Sequence, residues 1–403
     1  MKENICGTYN PVEIKKLYDK IPHGKTRIAA MKSAIEEADR NKDIKFMIYF
    51  REDLCDESCF YGDETEMMVI FPEILNLIDR YPDAPSTQFD TAYKNALEHV
   101  LWVYKWVVGR CSAFYQIPME DCKKFFEDFK RRSISYGFNL KPYYRLLYGF
   151  YYFDDTKSEE AFYKFEKLPR DSNSNCKACD RNTEINFYLD KGDFKKAVEL
   201  SEDIESFKLK CGNDNSAWIR MKINFMSYYM DNGNFGEADK IAHLLEHNMN
   251  DKTESQAWDD ILRCYSYTRP GRALRVYKKH WKMWQEGTSP ADEFGKILNV
   301  CCFWKKYRLE TGKSTVKLAL DQTFPLHNEE NIYNTEDLYN YYYKRTEDIA
   351  IKFDKRNGVD SYIKEMHKKL DIIPDAVIVS ASGSKKHKED LDELQSRRIK
   401  KPL

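Results

Sequence analysis

The chain has 403 residues, of which 42% are hydrophobic and 33% are charged. Its 65 Lys and Arg residues almost balance its 66 Asp and Glu residues, which excludes a strong overall attraction to nucleic acid or to an anionic membrane surface. This length exceeds one ordinary hydrophobic core and fits two or three domains or one long helical array.

The sequence shows neither a targeting segment nor a membrane span. Its N-terminal stretch lacks the apolar run of a secretory signal peptide, and no apolar run is long enough to predict a transmembrane helix. We therefore expect a cytoplasmic protein without membrane contact, in which the 11 cysteines are reduced thiols. Nucleic acid is not an expected partner.

The N-terminal region, residues 1–135, is predicted to be helical throughout. The chain has only 16 Gly and 13 Pro residues but 28 Tyr and 23 Phe residues, a composition that favours long helices packed by large side chains. The expected helices span residues 11–20, 25–40, 43–60, 63–80, 89–109 and 117–137.

A short phrase occurs twice in the middle of the chain. Both copies read Tyr, three residues, Gly, Asp or Asn, Phe, two residues and Ala, and they end at Ala197 and Ala238. In such a unit the Gly ends a first helix, the next residue caps a second helix, and the small Ala lets the two helices approach closely. Weaker copies place Ala161 and Ala273 at this position, which gives spacings of 36, 41 and 35 residues.

These units resemble tetratricopeptide repeats (TPR), which are helix–turn–helix units with a period of about 34 residues. Tyr148, Gly149, Tyr152, Ala161 and Phe165 fall at the family's spacing. The resemblance implies an all-α fold, an α-solenoid of antiparallel helix hairpins that winds as a TPR-like superhelix.

The resemblance also implies how the chain is divided. Residues 136–372 would hold the repeats and the C-terminal helices, and residues 1–135 would hold one further divergent copy with Met67 in place of Ala. A wider resemblance, to uncharacterised bacterial TPR-like proteins, rests on three segments: Leu101–Gly109, Cys176–Cys179 and Phe353–Gly358.

After the repeats we expect a helix pair over residues 290–325 and then one long helix, which begins at the capping residue Asn334 and ends at Gly358. A last short helix follows. No segment predicts a convincing β-strand, and residues 373–403 are expected to form a mobile basic tail.

Three cysteines form the most specific chemical pattern in the sequence. Cys176 and Cys179 form a C-x-x-C motif, which can direct two thiolates at one tetrahedral zinc ion. Cys211 lies 32 residues beyond Cys179, across one helix pair, so it can return to the same edge. The sequence shows no fourth ligand, so structural zinc, a redox pair and ordinary reduced thiols stay open as alternatives.

The chain lacks the common catalytic motifs. The HGKT segment at residues 23–26 has Asp19 where a phosphate-binding loop needs Gly, and the HLLEH segment at residues 243–247 is not the H-E-x-x-H motif of zinc proteases. We therefore predict no enzymatic activity and no cofactor other than the zinc alternative.

The TPR resemblance implies a binding groove, because the first helix of each pair lines the concave face of the superhelix. The side chains expected to face this groove are Tyr143, Asn182, Asn186, Arg220, Asn224 and Ser227. Amides can hydrogen-bond an extended peptide, and Arg220 can hold a carboxylate. A solvated polar groove without a specific ligand is the alternative.

These features predict a scaffold or adaptor that binds another protein or a peptide on the concave face. Two other functions stay open. One is a cytoplasmic regulator that changes shape when a peptide binds. The other is a zinc-binding protein that uses Cys176, Cys179 and Cys211.

Overall fold

The computed structural model describes residues 9–87, 89, 93–212, 215–249, 255–285 and 287–371. Within these residues the chain forms 17 α-helices, one short 3-10 helix and one pair of short β-strands, so the predicted all-α class is confirmed. None of the described helices is both long and apolar enough to cross a membrane. The predicted tail, residues 373–403, lies outside the described residues.

The N-terminal region contains six helices, most of which end within two residues of their predicted bounds. They are α1 (Pro11–Asp19), α2 (Lys25–Arg40), α3 (Ile44–Tyr61), α4 (Glu64–Arg80), α5 (Ala96–Cys111) and α6 (Met119–Tyr136). The start predicted for α5, at residue 89, is wrong. This helix begins later because the side chain of Asn95 caps it, with Oδ1 accepting a hydrogen bond from the backbone N–H of Glu98 at 3.0 Å.

The middle of the chain forms four helix pairs, each joined by a short turn. The pairs are α7 (Lys141–Phe150) with α8 (Asp155–Lys167), α9 (Lys177–Asp190) with α10 (Phe194–Glu205), α11 (Ser216–Asp231) with α12 (Phe235–Asn248), and α13 (Ser255–Thr268) with α14 (Pro270–His280). The two helices of each pair pack against each other, and α9 also packs against α11, as α11 does against α13. The second, third and fourth pairs therefore share one continuous apolar core.

The small residues predicted from the repeated phrase lie inside these pairs. All four alanines are on the second helix of their pair and are at most 4% exposed: Ala161, Ala197, Ala238 and Ala273. The turn glycines Gly192 and Gly233 have φ angles of 75° and 71°, in the left-handed region that glycine adopts at little cost. Asp193 caps α10 as predicted, because its Oδ1 accepts from the N–H of Lys196 at 3.0 Å.

Two large apolar cores hold these elements together. One joins α3 to α7, and the other joins α9 to the C-terminal end of the described chain. A cluster of Phe162, Phe165 and Phe187 connects α8 to α9. The rings of Phe162 and Phe187 are parallel within 6°, with centroids 3.6 Å apart. This stack fixes the first helix pair against the second.

The C-terminal part departs from the prediction of a helix pair over residues 290–325. It contains the 3-10 helix Trp281–Trp284, α15 (Pro290–Thr311), β1 (Thr315–Lys317), β2 (Ile332–Asn334), α16 (Thr335–Asn357) and α17 (Ser361–Asp371). Gly312, with a φ of 61°, ends α15. After it β1 pairs with β2 in antiparallel register, with Val316 opposite Tyr333.

The prediction that no segment forms a strand is therefore wrong. Each strand has three residues with one buried side chain, which is too short for the alternation that identifies a strand in a sequence. The long helix α16 is confirmed. Its cap Asn334 accepts from the N–H groups of Glu336 and Asp337 at 2.8 and 3.3 Å, and Gly358 ends it with a φ of 70°.

The C-terminal helices return to the N-terminal region. Arg356 on α16 donates to the backbone carbonyl oxygens of Ser112, Phe114 and Ile117 at 2.9, 3.2 and 3.2 Å. The N–H of Ala291 donates to the carbonyl of Ala113 at 3.1 Å. One guanidinium thus satisfies three carbonyl groups at and beyond the C-cap of α5, and it ties α16 to the N-terminal region.

We expect the substitution Arg356→Met to lower the free energy of unfolding by about 2 kcal/mol or more, because three carbonyl groups lose a charged donor. Urea unfolding followed by tryptophan fluorescence measures the change. Lys355→Met is the matched control, since Lys355 is exposed on the same helix. Equal effects of the two substitutions would contradict a role for this contact.

Candidate functional site

A cavity of about 540 Å³ lies where the N-terminal region meets the helix pairs. Its wall is built from α5, α6, α7, α9, α11 and α13. At Gly109 a Cβ atom would lie 3.0 Å from the Cδ2 of Leu146, so the missing side chain lets α5 approach α7. The polar part of the wall consists of Ser112, Arg145, Tyr148, Cys179, Asn182, Thr183, Asn186, Arg220, Asn224 and Asp260.

Four of the six side chains that the sequence places in a groove line this cavity. They are Asn182 and Asn186 on α9, and Arg220 and Asn224 on α11. Each pair of positions is four residues apart, so both side chains of a pair lie on one face of their helix. The packing of α9 against α11 then brings the two faces to the same cavity.

The other two predicted groove residues are not part of the cavity wall. Tyr143 is 5% exposed, its hydroxyl donates to Glu127 Oε1 at 3.0 Å, and its ring meets the edge of Phe126. Tyr143 therefore joins α7 to α6. Ser227 lies on the same face of α11 as Ile223 and Asn224 but one turn further along the helix, beyond the residues that line the cavity.

Asn182 leaves an acceptor without a partner at the cavity wall. The residue is 8% exposed, and its Nδ2 donates to the carbonyl of Ala217 at 2.8 Å. Its Oδ1 is buried and has no hydrogen-bond partner among the described residues. A buried acceptor of this kind costs about 1–3 kcal/mol until a donor reaches it.

Asn186 is held in place by a second polar group. Its Nδ2 donates to Asp190 Oδ2 at 3.0 Å and lies 3.3 Å from the hydroxyl oxygen of Tyr148. The Tyr148 hydroxyl donates to the same Asp190 oxygen at 3.1 Å. These contacts orient the amide of Asn186 on the wall.

Two arginines give the wall a positive charge. The Nε of half-buried Arg145 donates to Thr183 Oγ1 at 2.9 Å, and a terminal nitrogen of exposed Arg220 lies 3.4 Å from Cys179 Sγ. Within the described residues neither guanidinium has a carboxylate oxygen within 4.0 Å. Burial lowers the pKa of Arg145, but a guanidinium stays charged near neutral pH.

One acid, Asp260, lies among the residues that line the cavity. Asp260 on α13 accepts a long hydrogen bond from Asn299 Nδ2, with 3.5 Å between nitrogen and oxygen. Burial raises the pKa of Asp260, and the charges of Lys369 and Arg263 oppose this increase. The cavity therefore has a cationic side at α7 and α11 and an acidic side at α13.

The structure brings the three predicted cysteines together. Cys176 is the N-cap of α9, and its Sγ accepts from the N–H of Cys179 at 3.4 Å. Cys211 precedes α11 and places its Sγ 3.5 Å from the Sγ of Cys179. All three sulfur atoms lie within 4.8 Å of one another. Cys179 also lines the cavity, so the thiol cluster and the cavity share a wall.

The thiols of the cluster shift the pKa values of Cys179 and Cys211 in opposite directions. Hydrogen bonds from Cys176 and Cys179 lower the pKa of Cys211, and the positive charge of Arg220 acts in the same direction. Hydrogen bonding to Cys176 and Cys211, followed by burial, raises the pKa of Cys179. The pKa of Cys211 is therefore the one that its neighbours lower, and the Sγ of Cys179 lies within hydrogen-bond distance of it.

A buried lysine, Lys105, lies behind the cavity wall, and the repeat pattern did not predict it. Lys105 on α5 is 2% exposed, and its Nζ donates to the carbonyl of Asn173 at 2.9 Å and lies 3.1 Å from the centre of a Trp102 ring. Burial, aided by the charge of Arg145, lowers the pKa of Lys105 from 10.5 to about 7. The sequence feature that could have indicated this residue is a single lysine at the centre of the apolar segment Leu101–Gly109.

Comparisons with known proteins supply no relative for this site. No model of a protein family, no curated protein and no solved structure matches the chain. The function is therefore inferred from the cavity and the thiol cluster themselves.

The buried amine of Lys105 predicts a pH-dependent stability. Between pH 7 and 10 the unfolded chain keeps a proton that the folded protein has released, so this group makes the free energy of unfolding rise with pH. Lys105→Met removes this rise. The free energy of unfolding of the variant minus that of wild type should fall by about 1.4 kcal/mol per pH unit in this window.

Urea unfolding at pH 7, 8 and 9 measures this difference. Lys278→Met is the control, because Lys278 is exposed on α14. A difference between Lys105→Met and wild type that does not change with pH would show that Lys105 titrates like an exposed lysine.

Proposed function

We propose that this protein is a cytoplasmic TPR-like α-solenoid that binds the carboxylate end of a peptide or partner protein in its cavity. The four helix pairs with buried alanines support the architecture. The polar wall supports the chemistry. In this proposal the protein acts as a scaffold or adaptor and is not an enzyme.

The observation that carries the proposal is the pair of arginines at one cavity. Arg145 and Arg220 lack a carboxylate partner within salt-bridge distance among the described residues, and each still has guanidinium N–H groups to donate. Guanidinium groups bind carboxylates through charged, often bidentate hydrogen bonds. A ligand with a terminal carboxylate supplies a negative charge to the cationic side of the wall, at α7 and α11.

The amides of the wall match the backbone of such a ligand. Asn182 Oδ1 is a buried acceptor without a partner, and a peptide N–H would remove the cost of its unpaired state once the side chain shifts toward the ligand. Asn186 and Asn224 flank it on α9 and α11 and offer both donors and acceptors. The terminal carboxylate of the ligand would lie at the arginines. The peptide residues that precede it would lie along the asparagine amides.

The size of the cavity limits the ligand. Its volume of about 540 Å³ falls within the 300–1,000 Å³ that is typical of small-ligand pockets. The cavity therefore accepts a chain end or a short peptide and not a folded surface. A partner protein would be held by its C-terminal residues.

A peptide-responsive regulator is the second candidate, and one contact favours it. Ser112 lines the cavity, and its carbonyl oxygen accepts from Arg356 on α16 at 2.9 Å. A ligand that displaces the segment at Ser112 would loosen the contact between α16 and the N-terminal region. In this case the protein changes shape when a peptide binds.

Equilibrium dialysis with randomised tetrapeptides tests the proposal. One pool has free C-terminal carboxylates and the other has C-terminal amides. We expect the protein to retain peptides from the first pool only. For the best-retained peptide, calorimetry should show affinity at least about ten-fold weaker in Arg220→Gln, because one charged hydrogen bond is lost.

Arg275→Gln is the matched control, since Arg275 is exposed on α14 and outside the cavity wall. Equal retention of the amidated pool, or unchanged affinity in Arg220→Gln, would rule out carboxylate recognition at this cavity. Small-angle X-ray scattering of the complex separates the two candidates, because only the regulator changes its overall dimensions.

A further inference from the structure

We propose that Cys176, Cys179 and Cys211 bind one zinc(II) ion at the cavity wall, with its fourth coordination position open to a donor atom from the cavity. The donor is water in the free protein and a carboxylate, imidazole or thiolate group in a complex. Metal binding requires only the three sulfur atoms. It can therefore be tested independently of peptide recognition.

The distances between the sulfur atoms fit a tetrahedral zinc site. With Zn–S bonds of about 2.3 Å, two sulfur ligands of a tetrahedral ion lie about 3.8 Å apart. The Sγ atoms of Cys179 and Cys211 are 3.5 Å apart, and all three are within 4.8 Å of one another. Shifts of less than about 1 Å therefore complete the coordination geometry.

Two separate elements hold the three sulfurs in place. Cys176 and Cys179 occupy the N-cap and third position of α9, where the helix dipole favours negative charge on their sulfurs. The N–H of Cys179 already donates to the Cys176 sulfur at 3.4 Å. Cys211 approaches from the loop between α10 and α11, so the site closes only in the folded chain.

The surrounding charges suit a zinc ion with three thiolate ligands. Such a centre carries a net charge of about −1, since three thiolates exceed the +2 of the ion. A terminal nitrogen of Arg220 lies 3.4 Å from Cys179 Sγ, and the charge of Arg145 interacts with both Cys176 and Cys179. These cations offset the remaining negative charge. Any thiol protons are released to solvent when the metal binds.

The protein supplies three ligands and not four. Among the described residues no other histidine, cysteine, aspartate or glutamate side chain joins this group of sulfur atoms. Structural zinc sites are closed by four protein ligands, whereas sites with three ligands keep one position for water or substrate. Cys179 lines the cavity beside Arg220, Asn182 and Asn186, and the proposal places the open position at this wall.

A redox pair explains fewer of these observations. A disulfide between Cys179 and Cys211 would use two of the three sulfurs, would need an oxidant, and would require the sulfurs to move from 3.5 Å to about 2.05 Å. It would leave Cys176 without a role. A metal ion accounts for the convergence of all three thiols.

Cobalt(II) titration of the reduced, metal-free full chain tests the site. We expect one equivalent to produce thiolate-to-cobalt charge-transfer absorption and the intense visible bands of a tetrahedral ion. Zinc should displace the cobalt with the same stoichiometry. Added imidazole should shift the visible bands, because it enters the open position.

The variants Cys176→Ser, Cys179→Ser and Cys211→Ser should each weaken zinc binding at least about ten-fold in competition with a chromophoric chelator. Cys59→Ser is the control, since this half-buried cysteine on α3 lies outside the cluster. Circular dichroism shows whether each variant folds. Cys211→Ser alone suffices if a substitution on α9 prevents folding, because Cys211 lies outside a helix.

Three results would overturn the proposal. They are binding of less than one equivalent of metal by the reduced protein, unchanged affinity in the Cys211→Ser variant, and a cobalt spectrum that does not respond to imidazole. The last result would disprove the open position specifically. Repeating the peptide dialysis with a chelator present distinguishes the two proposals, because carboxylate recognition by the arginines persists without metal.

Discussion

Close packing at four buried alanines sets the spacing within the helix pairs, and the cavity depends on that spacing. Ala197 and Ala238 let α10 and α12 lie against α9 and α11, and α9 and α11 then pack on each other. This arrangement aligns Asn182 and Asn224 on a common wall. A larger side chain at either alanine would separate a pair and would also move the amides that face the cavity.

Among the described residues, three cations at or behind this wall have no carboxylate oxygen within salt-bridge distance. Lys105 relies on the carbonyl of Asn173, Arg145 on the hydroxyl of Thr183, and Arg220 on the sulfur of Cys179. Each partner is a weaker match for a cation than a carboxylate is. Cations with such weak partners lower the stability of the folded protein. Charged groups in unfavourable surroundings of this kind are typical of binding and catalytic sites.

Arg220 connects the two proposed activities because it contacts the thiol cluster and lines the cavity. A metal ion at the cluster would reduce the positive charge available to a carboxylate at Arg220, but it would also offer its own open position. The two sites therefore share one electrostatic environment. A ligand that carries both a carboxylate and a metal-binding side chain could occupy both.

The sequence by itself determined the helices, several of their caps and the positions of closest helix contact, because these depend on residues a few positions apart. Asn334, Gly358 and Asp193 act at the helix ends where the sequence placed them. The same local rules missed the strands at Val316 and Tyr333, since each has only three residues.

The site was only partly predictable, because residues far apart in the chain build it. The TPR resemblance implied that Asn182, Asn186, Arg220 and Asn224 face a groove, and all four line the cavity. It could not identify Arg145, Gly109 or the buried Lys105, whose roles arise when α5 and α7 pack against the repeats. Tertiary packing alone decided that Tyr143 turns to Glu127 and that three cysteines meet beside the cavity, because only folding brings these distant groups within contact.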